Sequence, residues 1–266
     1  MATVPNLPLF YSDLVPLSAG QHADWSITTQ ETAPFLVGAH AVPITSDEFI
    51  MASRFYPIVF SVGDQSVPLA LMGLNEGVNV FVDADGRVTK PVYIPAYVRR
   101  YPFLLAKLRP DNDELSLCFD PTAPGVGASG GEGSNALFDG DQPSKATTDI
   151  LEFCRQFEEA GGRTQAFMDE LNKLDILMDG EVAIQVDGNE NPYIYRGFRM
   201  IDEEKMRDLR GDALRKISQS GMLPLLYAHL FSMQLMREIF GEQMAQGKVP
   251  MQEIPAPLNE VPLPTA

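Results

Sequence analysis

The spacing of apolar residues changes character about half-way along the chain. Over residues 56–103 the apolar runs are short, β-branched and aromatic: Tyr56-Pro-Ile-Val-Phe60, Val67-Pro-Leu-Ala-Leu-Met72, Asn79-Val-Phe-Val-Asp-Ala-Asp-Gly86 and Tyr93-Ile-Pro-Ala-Tyr97. Gly63-Asp64, Asn75-Glu76-Gly77 and Asp85-Gly86 separate them, a spacing that predicts an antiparallel meander with strands through Ile58, Leu71 and Phe81. Asp85-Gly86 is a tight-turn signal, because a primed turn needs positive φ and glycine supplies it without steric cost. Upstream, Ser26-Ile-Thr-Thr29 and the run from Phe35 to Pro43 read as further strands. Thr45-Ser-Asp-Glu48 reads as a capping box opening a short helix over 46–54, which ends because Pro57 forces Tyr56 out of the α region. Pro95 and Pro102 bracket one helical turn that carries Tyr97, Arg99, Arg100 and Tyr101. Leu115-Ser-Leu-Cys-Phe119 predicts another strand.

Beyond a Gly-, Pro- and Ser-rich stretch the period becomes helical. Ile150, Leu151, Phe153, Cys154 and Phe157 recur at helix spacing, as do Phe167, Met168, Leu171, Leu174 and Leu177, with Gly161-Gly162 between the two sets. A second hairpin is expected from Val182-Ala-Ile-Gln-Val186, the turn Asp187-Gly-Asn-Glu-Asn191, and Tyr193 through Met200. Asp202 then opens a helix with Leu209, Leu214 and Ile217 on its apolar side. A last helix is predicted over 223–244, apolar on nearly every side, a property of helices that are buried or sit in an interface. These elements give an α+β fold: an antiparallel sheet of about five to seven strands from residues 25–120, joined by the second hairpin and covered by the C-terminal helices. Along the chain, residues 1–120 form a mainly β region with an extended N-terminal arm and 121–145 a surface loop. Residues 146–245 form the helical region with its hairpin, and 246–266 a proline-rich tail. All four are expected to belong to one integrated domain.

Charge narrows the function classes. The 266 residues carry 20 Lys or Arg against 36 Asp or Glu, a formal net charge of −16. That balance opposes contact with nucleic acid or anionic lipid, both of which need clustered cations. The N-terminus has no cationic and apolar leader, and no run approaches the ~18 apolar residues of a membrane span, so a cytoplasmic protein is expected. Cys118 and Cys154 sit in apolar patterns and read as buried thiols.

Among candidate sites, Arg99 and Arg100 between Tyr97 and Tyr101 form the most basic point of the chain. Guanidinium forks grip carboxylate or phosphate and stack on aromatic rings, which makes these four residues the first candidate ligand contact. The competing reading is a salt bridge to the acidic surface. His229 reads as a core histidine bonded to a backbone carbonyl or a hydroxyl, or as a contact at the base of a pocket. His22-Ala-Asp24 has the His-x-Asp spacing of a non-haem iron site, the basis for an Fe(II)-dependent oxygenase as the alternative to a protein without cofactor. Asp83 to Gly86 and Asp187 to Asn191 lack the closing glutamate of a calcium loop and read as turns. Gly125-Val-Gly-Ala-Ser-Gly130 has a dinucleotide-loop spacing without the strand and helix it needs. No hydrolase elbow or phosphate loop is present.

The blocks at residues 56–60, 68–74, 79–86 and 93–103, together with Leu137-Phe-Asp139 and residues 221–232, resemble the bacterial SapC family over about residues 8–240. The resemblance implies a protein of surface-layer or nutrient-uptake systems. Relatives look like members of gene clusters with TonB-dependent outer-membrane receptors and flavin-dependent halogenase-like proteins. It implies no catalytic residue. The functional expectation is a soluble accessory protein that binds a small molecule or peptide, with residues 223–244 and the proline-rich tail as a surface for a protein partner or a second copy.

Overall fold

The computed structural model describes residues 7–63, 65–108, 114–128, 130, 133–189 and 191–249. The tail beyond Val249 and the first six residues of the arm lie outside that set. In chain order, β1 (Val15–Pro16), α1 (Ala19–His22), β2 (Trp25–Thr28) and β3 (Ala41–Pro43) lead to α2 (Phe49–Ala52). Next come β4 (Ile58–Ser61), β5 (Pro68–Leu71), α3 (Ala96–Arg100), β6 (Phe103–Lys107) and β7 (Leu115–Phe119). β8 (Val126–Ala128), β9 (Ser134–Ala136), β10 (Phe138–Asp139) and β11 (Gln142–Pro143) precede the 30-residue helix α4 (Lys145–Leu174). The chain then runs through β12 (Leu177–Asp179), β13 (Val182–Ile184), β14 (Tyr193–Tyr195) and β15 (Phe198–Ile201). It closes with α5 (Glu203–Arg207), α6 (Gly211–Gln219), α7 (Met222–Ser232) and α8 (Leu235–Ala245).

The fold is α+β, with antiparallel sheets and C-terminal helices, as the pattern predicts. The largest sheet has five strands in the order β12-β15-β4-β5-β3. Its register pairs Ile58 with Ala70 and Ala41 with Leu71, so Val42, Ile58, Phe60 and Ala70 share one face and Ala41, Val59, Leu69 and Leu71 the other. Both faces are apolar, and helices cover the first. The other predicted strands do not join this sheet. β7 pairs with β1 and β6, and β2 lies between β8 and β9.

Several elements differ from the pattern, each for a local reason. Phe81 is buried but lies outside any strand: one bridge, Val82 to Val88, closes the Asp85-Gly86 turn, and the Asp83 carboxylate accepts from the amides of Asp85 and Arg87. The Gly-rich stretch supplies strands β8 and β9 because β2 presents two unpaired edges, and backbone groups there need partners. Phe35 and Leu36 form a short 3₁₀ turn, not the start of a strand. Gly161-Gly162 do not interrupt α4: Cys154, Ala160, Thr164, Phe167, Met168 and Leu171 keep one buried stripe across them, and packing offsets the ~1 kcal/mol cost per glycine. Leu177 lies on β12 instead of extending the helix, after Asp175 turns left-handed at φ 52°. The helix after Asp202 breaks at residues 208–210, and that over 223–244 breaks at Met233-Gln234, giving α5 with α6 and α7 with α8.

Two local predictions hold in detail. In the capping box, Glu48 accepts from the Thr45 amide at 2.8 Å and the Thr45 hydroxyl at 2.9 Å. The other carboxylate oxygen accepts from the Tyr93 hydroxyl at 2.9 Å and the Ala96 amide at 2.7 Å, so one buried acid holds the start of α3 as well. Cys118 and Cys154 are buried free thiols, and burial pushes the Cys154 pKa up to about 11.

Candidate functional site

α3 brings Tyr97, Arg99, Arg100 and Tyr101 to the side of α4, but not around a common ligand. The Arg100 guanidinium lies 4.4 Å from the Tyr97 ring centroid and 4.3 Å from that of Phe157, and its side chain is 9% exposed. It approaches Glu158 at 3.5 Å, and its Nε finds no acceptor among the described residues. Arg100 therefore joins α3 to α4 as a filled aromatic sandwich. Arg99 is exposed and lies over Phe153 at 5.1 Å and Tyr93 at 5.9 Å. Tyr101 packs in the opposite direction, against Phe35 at 4.4 Å and Tyr11 at 5.2 Å. Neither arginine lines the cavities of about 490, 230 and 460 Å³.

His229 is fully buried and bridges two strands. Nε2 accepts from the Ile201 amide at 3.1 Å, which leaves the ring proton on Nδ1 to be donated to the Ile58 carbonyl at 2.7 Å. Arg199 pairs with Phe60, so in register Ile201 would next pair with Ile58; the imidazole stands in that gap and replaces the ladder bonds. Ser232, one turn on, accepts from the Ile58 amide at 2.9 Å and donates to the His229 carbonyl at 2.6 Å. Burial pushes the His229 pKa down to about 4, partly countered by the bond to Ile58. This is the core histidine of the sequence reading, with a backbone amide as an additional partner.

His22 and Asp24 part company. His22 is buried, accepts from the Ser18 amide through Nδ1 at 3.1 Å, and meets Trp25 and Phe119 edge to face. Asp24 is exposed. No group of three or more His, Cys, Asp or Glu among the described residues is placed to hold a metal ion, so this donor set does not fit an iron centre.

The second face of the five-stranded sheet holds a better candidate. Val59, Leu69, Leu71 and Phe198 on the sheet, with Met236 of α8, line a cavity of about 230 Å³. His40, Glu76 and Arg196 also line it, and Arg196 pairs with Glu181 at 2.6 Å. Tyr195 forms one wall. Its hydroxyl is buried and has no hydrogen-bond partner among the described residues, and burial, then the neighbouring Tyr193, pushes its pKa up to about 12. Leaving a buried hydroxyl unpaired costs about 1–3 kcal/mol, and the residue that carries this one is a wall of the mainly apolar cavity.

Nothing in the sequence pattern distinguishes Tyr195, because Tyr193 through Met200 looks like one strand. Gly197, at φ 91°, divides that run: Tyr195 pairs with Val182 in a separate two-stranded ribbon, and Phe198 begins the central strand β15. A glycine within an alternating apolar run was the available signal.

With this geometry in place, the SapC family model matches residues 17–239 of the 266. The chain belongs to the SapC family. Neither a curated protein nor a solved structure matches it. No helix among the described residues is long and apolar enough to cross a membrane.

Proposed function

We propose that this SapC-family chain is a non-catalytic accessory protein that holds a small, mainly apolar molecule in the cavity on the second face of its five-stranded sheet. The setting is a bacterial cell-surface or TonB-linked nutrient-uptake system, as the family resemblance implies. One observation carries the binding reading: Tyr195, whose buried hydroxyl has no partner among the described residues, walls a mainly apolar cavity. The volume falls below the ~300–1,000 Å³ of drug-sized pockets, which favours a one- or two-ring molecule. Its buried end carries a hydrogen-bond acceptor for the phenol of Tyr195, and its outer end meets His40, Glu76 and Arg196.

Acetophenone, which has a carbonyl acceptor, and ethylbenzene, which has none, test this by ligand-observed and methyl NMR on the full chain. Acetophenone binds about two- to tenfold more tightly, the worth of one neutral hydrogen bond, and shifts the methyl signals of Val59, Leu69 and Leu71. Tyr195→Phe removes the difference and keeps the ring binding. Equal binding of the two probes by the unaltered protein, or shifts confined to other methyl groups, refutes the reading.

A further inference from the structure

A second concavity, independent of the first, lies between α5, α6 and α7. Met206, Leu214 and Leu230 make its apolar lining, and its volume is about 490 Å³. A cavity of about 150 Å³ holds one benzene ring, so this one has room for two aromatic side chains. Tyr227 and Phe231 stand beside it on α7, one turn apart, 44% and 67% exposed, with ring centroids 5.8 Å apart and planes tilted by 29°. His229 and Ser232 turn the other side of α7 to the sheet, so these rings face outward. Glu203 and Arg207, one turn apart on α5, complete the groove; both are exposed, and neither forms an ion pair with a described residue. The cavity of about 460 Å³ between α4 and the α6–α7 junction differs on this point. Its four charged residues are paired within the chain, Arg163 with Asp47 at 2.6 Å and Lys216 with Glu170.

We propose that this groove is the interface of a homodimer, in which Tyr227 and Phe231 of each copy enter the groove of the other across a two-fold axis. A two-fold contact uses one patch twice, so that patch must contain both members of every complementary pair. This patch does so in shape and in charge. It carries two projecting rings beside a recess with room for two, and one carboxylate beside one guanidinium. Glu203 of each copy then meets Arg207 of the other, which supplies both groups with the partner that no described residue of their own chain provides. Net charge selects the same face. Two copies at −16 each repel over most of their surfaces, whereas the charges of this groove lining cancel. Tyr, Phe and Arg are also the residue types enriched at interfaces. A ring of this kind buries about 150–250 Å² when covered, so the rings and their surround amount to on the order of 1,000 Å² for the two copies together, the lower end of specific interfaces. Dissociation in the micromolar range follows from an interface of that size.

Sedimentation velocity on the full chain, over a micromolar to submillimolar concentration range, tests the interface. The unaltered protein shifts from monomer to dimer, and Phe231→Asp leaves it monomeric throughout with an unchanged circular dichroism spectrum. Glu203→Arg alone and Arg207→Glu alone each set like charges opposite one another twice and weaken the dimer about tenfold. An equimolar mixture of the two variants restores it, because every contact in the mixed dimer again joins opposite charges. The reversals lie at exposed positions and keep the test intact should Phe231→Asp fail to fold. A chain that stays monomeric at every concentration overturns the proposal. So does a dimer that Phe231→Asp or the charge reversals leave intact, or a mixture that associates no more tightly than either variant alone.

Discussion

The two faces of the five-stranded sheet are built from the same alternating apolar strands and end in opposite states. On the first face, Val42, Ile58, Phe60 and Ala70 join one large core with α2, α4 and α7, and His229 and Ser232 pair the backbone groups of Ile58 and Ile201. The ladder between β15 and β4 is interrupted, but His229 and Ser232 restore its bonds from the helix side. On the second face, Val59, Leu71, Phe198 and Met236 form a smaller cluster beside a cavity, with the Tyr195 hydroxyl unpaired among the described residues. Hydrophobic alternation decides that a face is buried. Whether it is filled depends on where the covering helix places its side chains.

The largest expected effect breaks the first face. His229→Ala leaves the Ile201 amide and the Ile58 carbonyl buried without partners and opens a cavity, which costs roughly 4 kcal/mol in urea unfolding. Acid should act through the same residue. Its folded-state pKa of about 4 lies below the ordinary 6.5, so the unfolded chain binds the extra proton first. The contribution is fully present above pH 6.5, is lost at about 1.4 kcal/mol per pH unit as pH falls to 4, and levels off below, a total of about 3 kcal/mol. A pH series of unfolding curves checks this. If His229→Ala keeps the same slope between pH 6.5 and 4, the imidazole is not its source.

A smaller pair of substitutions sharpens the contrast between the faces. Tyr56 donates to the Tyr93 carbonyl at 2.7 Å, so Tyr56→Phe costs about 1 kcal/mol and leaves that carbonyl short of a partner. Tyr195→Phe removes a hydroxyl without a partner among the described residues, and the melting temperature of the ligand-free protein stays level or rises. A clear fall on Tyr195→Phe means that the hydroxyl is paired in solution.

The smallest effects come from the two arginines. Arg100→Ala empties the sandwich between Tyr97 and Phe157 and costs about 1–2 kcal/mol, whereas Arg99→Ala, on the surface, stays within about 0.5 kcal/mol. Equal thermal shifts for the two variants would contradict the assignment of Arg100 to the interior.

The legible parts of the fold are those whose causes lie within a few residues. Thr45 and Glu48 specify the capping box, Pro95 and Pro102 bracket α3, and Asp83 to Gly86 make their turn, because partners three or four positions apart meet in any surroundings. The candidate site was less legible. Arg99 and Arg100 look equivalent as neighbours, yet the helical turn sends one ring-stacked into the protein and the other to the surface. His229 could be placed in the core, but not in the gap between Ile58 and Ile201, whose residues lie far away along the chain.

By itself the sequence determined an acidic α+β protein with antiparallel strands, late helices and the blocks that mark a SapC-family chain, since alternation, helical spacing and turn residues act locally. Tertiary structure alone decided which strands share a sheet, which helix breaks, and where a cavity is left beside Tyr195. Those outcomes depend on unpaired strand edges and on side chains meeting across long stretches of chain, and backbone hydrogen bonding takes whichever partner the packing brings within reach.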